Sequence, residues 1–106
     1  MFDLNIVYSN EKDCYFRVTK LPGKTKHENI SIMSQIEGPV CNVNIDIPEI
    51  NYPEEVVIKD YSENKGLLSE MIRIGLVDEP HAYITVGYAQ APVCKLHYDV
   101  LEAHRE

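Results

Sequence analysis

The sequence lacks any apolar run of the roughly 18 to 20 residues that a helix needs to span a bilayer. Its amino terminus also lacks the basic and then apolar pattern of a secretion signal. We therefore expect a cytoplasmic protein that makes no contact with a membrane.

Cysteine is scarce and odd in number, because the chain has only Cys14, Cys41 and Cys94. Each lies in an apolar run where a small buried thiol fits, which predicts free core thiols in a reducing compartment. One disulfide and a metal role are the alternatives. Cys94 and His97 have the spacing of some zinc ligands, but residues three apart on a strand point to opposite faces, so we predict no metal site.

The familiar catalytic and phosphate-binding motifs are absent: there is no Gly-x-Ser-x-Gly elbow, no Walker loop and no Gly-x-Gly-x-x-Gly turn. Glu54 and Glu55 are adjacent and face opposite ways in an extended segment, which is poor geometry for an acid and a base. We therefore predict no enzyme, no catalytic residue and no cofactor. An enzyme that uses Cys94 or His97 remains an alternative.

The composition of the 106 residues, 44% hydrophobic and 25% charged, is typical of a folded globular chain. We predict a single domain, 1–106, of the α+β class. Period-2 alternation predicts a mainly antiparallel sheet of about six or seven strands. The strands are expected near 2–8, 14–19, 29–36, 41–47, 56–58, 82–88 and 94–100.

Three local patterns refine this prediction. The first two strands are expected to form a hairpin broken at Ser9 to Asp13, and the fourth strand places Val43 inward and Asn44 outward. One α-helix is predicted at about 62–74, packed on the sheet and stopped by Gly75. A turn is expected at 89–92.

The net charge of −7 is unevenly distributed, with a balance of +1 over residues 1–30 and of −8 over 31–106. Acidic residues with two embedded tyrosines concentrate before the predicted helix. Such a surface repels nucleic-acid phosphates and attracts basic proteins, so we predict a partner-binding patch and no direct nucleic-acid contact. A solvated acidic loop is the alternative. The predicted patch consists of Asp46, Glu49, Tyr52, Glu54, Glu55, Asp60, Tyr61 and Glu63.

A basic loop follows the turn at Pro22 and Gly23, and it offers a second possibility. Cations near a sheet edge could hold the phosphates of a nucleotide. The alternative ligand-binding residues are Lys20, Lys24, Lys26 and His27.

From Glu37 onward the chain resembles a family of small proteins, with no assigned activity, encoded by phages and conjugative mobile elements of bacteria. The resemblance covers about 60 of the 106 residues. The matching blocks are Glu37-Gly38-Pro39 before Val43-Asn44-Ile45, the run 59–68 with its Asn-x-Gly-Leu-Leu helix start, Gly75-Leu76-Val77 before Glu79-Pro80, Gly87-Tyr88, and 91–96. His81-Ala82 departs from the Thr-Gly pair that the family often has after Glu-Pro.

The resemblance implies a setting inside a bacterial host cell, where small acidic accessory proteins often inhibit host factors. We therefore hypothesise an acidic protein-binding inhibitor or regulator that counters a host defence or nucleic-acid-handling protein. A protein that binds or sequesters a nucleotide is one alternative, and a structural or assembly protein is another. A free sheet edge would also allow a homodimer.

Overall fold

The computed structural model describes residues 1–19, 28–45, 47 and 54–106. In this part of the chain, eight strands form two four-stranded sheets, and two short α-helices pack with them. The strands are β1 (Phe2–Ile6), β2 (Ser9–Thr19), β3 (Asn29–Ser34), β4 (Gly38–Asn42), β5 (Asn44–Ile45), β6 (Glu55–Ile58), β7 (Ala82–Val86) and β8 (Ala89–Lys95). The helices are α1 (Leu67–Arg73) and α2 (Tyr98–His104). The α+β class and the mainly antiparallel pairing are confirmed, whereas the six or seven strands predicted for one sheet are eight in two sheets, and the one predicted helix is two.

The first sheet has the order β1-β2-β3-β4, with antiparallel neighbours throughout. The predicted β1–β2 hairpin is confirmed, but its turn lies at Val7 and Tyr8, and β2 already begins at Ser9. Near Asp13, whose φ is 53°, the register with β1 shifts. This irregularity lies in the segment where the sequence predicted a break between the strands. A β-bulge accommodates the polar residues there, so the strand continues through them.

The second sheet has the order β5-β6-β8-β7. The predicted strand 41–47 is split at the buried residue Val43, where the chain passes from the first sheet to the second. Asn44 is buried, not outward as predicted. Its side chain accepts a hydrogen bond from the Ile30 N–H (2.9 Å) and donates one to the Glu28 carbonyl (3.0 Å). The Asn44 amide thus gives hydrogen-bond partners to two backbone groups that lose a strand partner where the chain leaves the first sheet.

β7 and β8 form a hairpin whose turn is Gly87-Tyr88, so the predicted turn at 89–92 was wrong. Gly87 has a φ of +60°, as the first turn position of a type II′ hairpin requires. Pro92 lies within β8, opposite Tyr83. The turn chemistry of the glycine therefore decides where this hairpin reverses.

The predicted helix 62–74 is a single 3₁₀ turn at Ser62–Asn64 followed by α1, and Gly75, with a φ of +84°, ends it as predicted. The predicted strand 94–100 ends at Lys95, and α2 follows. Val100, Leu101 and His104 share the inner side of α2, because their spacing is helical and Leu101 is buried. None of the helices in the described ranges is both long and apolar enough to cross a membrane.

The main core lies where the two sheets and the helices meet. Its fully buried side chains include Leu4, Phe16, Ile32, Ile58, Leu67, Met71 and Cys94. Helix α1 is tied to β1 by its own ion pair, because the Glu70 carboxylate accepts the Asn5 N–H (2.7 Å) and Arg73 donates to the Asp3 carbonyl (2.8 Å).

Candidate functional site

A second hydrophobic cluster lies on the face of the second sheet that is turned away from the main core. Side chains alternate along β6, so Val56 and Ile58 join the main core while Val57 faces the other way. Val57, Ala91 and Val93 are its buried centre. The apolar side chains around that centre are only half-buried. We call all eight the outer cluster, and the half-buried members are Ile45, Ile47, Tyr61, Ile84 and Val86.

Carboxylates gather where β6 and β8 meet at one end of this sheet. Glu54 and Glu55 lie on one side of the last residues of β8, since the Leu96 N–H donates to the Glu54 carbonyl (2.6 Å) and Glu55 is paired with Lys95. Asp78 lies on the other side, where its N–H donates to the Lys95 carbonyl (3.1 Å). Together with the neighbouring Glu79, these residues are called the acidic end: Glu54, Glu55, Asp78 and Glu79.

Two histidines are hydrogen-bonded to carboxylates of the acidic end. His81 is hydrogen-bonded to the Glu55 carboxylate, and His97 Nε2 lies 2.7 Å from Asp78 Oδ1. Lys95, which is paired with Glu55, is one cation beside the four carboxylates of the acidic end. With neutral imidazoles, the acidic end therefore carries an excess of negative charge. A basic surface would therefore be attracted to it.

A second group of charges lies beside Tyr61. Lys59 Nζ donates to Glu63 Oε1 (2.8 Å) and lies 6.0 Å from the centre of the Tyr61 ring. This hydrogen bond lowers the pKa of the Glu63 carboxyl below its usual value. Because both charged groups reach solvent, the pair contributes little to stability.

Asp60 has a structural role that the acidic pattern did not reveal. Its Oδ1 accepts hydrogen bonds from the Gly66 N–H (3.1 Å) and the Leu68 N–H (2.9 Å) at the start of α1. Gly66 itself has a φ of +98° and no side chain to cap the helix. Asp60 therefore acts as the N-cap of α1, although it lies six residues before Gly66.

Replacing Asp60 with alanine should lower the free energy of unfolding by about 1 to 2 kcal/mol, the usual loss for an N-cap carboxylate. Asp60→Asn is the matched control, because its side-chain oxygen can still accept both N–H groups. Urea unfolding followed by circular dichroism measures both variants. Equal losses for the two would contradict the capping role.

The predicted acidic patch is only partly assembled as one surface. Asp46, Glu49 and Tyr52 lie outside the described residues. Of the others, Glu54 and Glu55 belong to the acidic end, Tyr61 borders the outer cluster beside Glu63, and Asp60 caps α1. All four residues of the alternative cationic site also lie outside the described residues: Lys20, Lys24, Lys26 and His27.

Sequence reasoning missed the contribution of the β7 region to this surface. Ile84 and Val86 belong to the outer cluster, and Asp78 lies near Glu54 and Glu55, because β8 lies between β6 and β7 in the sheet. The charge of Asp78 and Glu79 was visible in the sequence. Their position was not, since it depends on the strand order.

A separate cleft of about 420 Å³ lies beside α2 and is lined by residues that include Tyr15, Gln35 and His104. The His104 ring packs edge-on against Phe2, with 5.5 Å between ring centres, and its Nδ1 is buried without a hydrogen-bond partner. Burial is the main cause that lowers the pKa of this imidazole. His104 therefore acts as part of the aromatic packing around Phe16.

The buried thiols are poorly suited to nucleophilic chemistry. Burial raises the pKa of Cys94 to about 12 and that of Cys14 to about 11, so both are protonated near neutral pH. The three cysteines are free, and Cys41 is half-buried where the sequence predicted a core thiol. No cluster of three or more potential ligands suited to a metal ion occurs in the described ranges.

No protein-family model, curated protein or solved structure matches this chain. The outer cluster and the acidic end are therefore interpreted from their own geometry and charge.

Proposed function

We propose that the protein is a binding module that inhibits or regulates a partner protein with a basic surface. The observation that carries this proposal is the outer cluster, an apolar surface only half-buried and bordered by the acidic end. The setting that the family resemblance implies, a phage or mobile element acting on a host defence or nucleic-acid-handling protein, is part of the same proposal.

An apolar centre with a polar margin is the usual anatomy of a protein interface. Tyr61, Ile84 and Val86 supply aromatic and branched contact area, and Glu55, two residues before Val57 on β6, supplies negative charge on the same face. Such charges speed association with a cationic partner and disfavour acidic ones. A protein that normally grips nucleic acid offers the complementary basic surface, and covering that surface would inhibit it.

The nucleotide-binding alternative receives no support from the described contacts, because its four cationic residues lie outside them. The assembly alternative requires contacts between copies of the chain.

The proposal is tested by reversing charge on either side of β8. We expect the double variant Glu54→Lys and Glu79→Lys to weaken binding of the partner captured from bacterial lysate by at least about tenfold, or about 1.4 kcal/mol. The binding of wild type should also weaken as salt is raised, because screening acts on exposed charges.

The matched control is Glu37→Lys with Glu102→Lys, which changes the net charge equally but alters exposed residues in the turn between β3 and β4 and in α2. It should keep most of the affinity. If both doubles bind the partner equally, the acidic end is not the contact surface.

A further inference from the structure

The two sheets have four edge strands, β1, β4, β5 and β7, and the fold treats them differently. The edge of β1 is covered by α1, since Glu70 accepts the Asn5 N–H and Arg73 donates to the Asp3 carbonyl. These bonds occupy backbone groups that a foreign strand would need.

The edges β4 and β5 are protected in other ways. β4 begins with Gly38 and Pro39, and its register with β3 shifts between Ile32 and Met33. β5 has only two residues. Proline, register irregularity and short length are all devices that prevent a further strand from pairing.

β7 lacks every one of these devices among the described residues. Its five residues pair with β8 in an uninterrupted register from Ala82 to Val86. The run 82–94 contains no charged residue, in a chain whose net charge is −7. Tyr83 is 61% exposed and Thr85 is exposed as well, so this edge is open.

The hairpin geometry determines which backbone groups face outward. Val86 and Ala89 close a two-residue turn, so this pair exchanges both of its hydrogen bonds, and the pair Ile84 and Ala91 does the same. The N–H and C=O groups of Tyr83 and Thr85 therefore point to the free edge. These are the groups that an added antiparallel strand would bond.

We propose that β7 pairs with β7 of a second copy of this chain, antiparallel and about a two-fold axis at Ile84. In this register Tyr83 exchanges backbone hydrogen bonds with Thr85 of the second copy, and Ile84 lies opposite its own equivalent. At the centre of this pairing Tyr83 lies opposite the β-branched Thr85 and Ile84 lies opposite Ile84, pairs that favour antiparallel pairing, while Ala82 lies opposite Val86.

Charge selects the antiparallel arrangement. Glu79 precedes Ile84 by five residues, so at about 3.3 Å per residue the two copies of Glu79 lie on the order of 30 Å apart. That separation exceeds the Debye length of about 8 Å at physiological ionic strength. A parallel pair would instead set the acidic ends side by side.

The same arrangement places the half-buried Ile84 beside its equivalent and Val86 beside Ala82 of the second copy. Joining the two edges makes one eight-stranded sheet, in which the outer clusters of both copies meet across Ile84. The additional burial favours a second copy over an unrelated strand. The faces of both outer clusters remain available for the partner proposed above.

Light scattering coupled to size-exclusion chromatography tests the dimer. Wild type should have twice the 12.2 kDa mass of the chain. Tyr83→Lys with Thr85→Lys should be monomeric, because two charges would then oppose each other across the axis, whereas Tyr8→Lys, at a 70% exposed tyrosine in the other hairpin, should remain dimeric. A monomeric wild type, or a dimeric double variant, would overturn the proposal.

Disulfide trapping tests the register. Opposed residues in a non-hydrogen-bonded pair have Cα atoms about 4.5 Å apart, within reach of a disulfide. Ile84→Cys should therefore form a covalent dimer on mild oxidation. Ala82→Cys should not exceed the wild-type background, because its equivalent lies about 13 Å away along the strand. Trapping at Ala82 and not at Ile84 would refute this register.

Discussion

Replacing Glu70 with alanine should lower the free energy of unfolding by about 2 to 3 kcal/mol, the loss expected when a charge-assisted bond to a partly buried N–H is removed. The Glu70 carboxylate is buried and accepts the Asn5 N–H at 2.7 Å, so alanine leaves that donor unpaired. Arg73, which is about half-exposed, adds little to the loss. Urea unfolding gives the value.

Glu102→Ala is the matched control, because Glu102 forms the same kind of i,i+3 pair with Arg105 (3.0 Å) but is exposed. It should cost less than about 0.5 kcal/mol. Equal costs at both sites would show that the bond from Glu70 to β1 does not hold the helix on the sheet.

The cost of Glu70→Ala should also depend on pH. The hydrogen bonds from Arg73 are the main cause that lowers the pKa of the Glu70 carboxyl below its ordinary value of 4.5. A lowered pKa stabilises the fold above the unfolded-state pKa, and this contribution is lost as the pH falls through the folded-state pKa. The difference between wild type and variant should therefore shrink below about pH 4.5.

Replacing Asn44 with alanine should lower the free energy of unfolding by about 2 to 3 kcal/mol, because two backbone groups lose their partner and the buried one alone costs roughly 1 to 3 kcal/mol when unpaired. The groups are the Ile30 N–H and the Glu28 carbonyl. Thermal and urea unfolding of the variant measure this loss.

Asn42→Ala provides the comparison, since Asn42 is two residues away and its side chain accepts only an exposed bond from Ser31 (3.0 Å). It should cost less than about 0.5 kcal/mol. If Asn42→Ala is as destabilising as Asn44→Ala, the two hydrogen bonds of the Asn44 amide do not stabilise the point where the chain passes from one sheet to the other.

Much of the local structure could be predicted because it depends on neighbouring residues. Alternation identified β1 and the core residues of β3, and helical spacing with Gly75 identified α1 and its end. These signals are strong because each strand or helix turns one apolar face to the main core.

The rest depends on contacts between distant residues. The split at Val43 follows from the pairing of Asn44 with Ile58 in another sheet, which alternation along 41–47 cannot reveal. The alternation of Leu96, Tyr98 and Val100 is compatible with a strand. The spacing of Leu101 and His104 is helical, and in the fold these side chains pack with Phe2 and Phe16. Tertiary packing decided between two patterns that the sequence allowed.

The candidate site also combines features that the sequence reveals with features that depend on the fold. The acidic character of Glu54 and Glu55 and the placement of Tyr61 among charges were read from the sequence. The outer cluster was not, because its members Val57, Ile84 and Val93 belong to three different strands. Asp60 was assigned to the patch because the sequence reveals only its charge. Its hydrogen bonds to the start of α1 depend on the fold.

Amide chemical-shift mapping of the labelled protein, titrated with its captured partner, tests the protein-binding surface most directly. The account predicts the largest changes at Val57, Tyr61, Ile84 and Val93, with smaller ones at Glu54 and Glu79. The first sheet should change little. Changes concentrated in β1 to β4, or around the cleft at His104, would contradict the outer cluster as the binding surface.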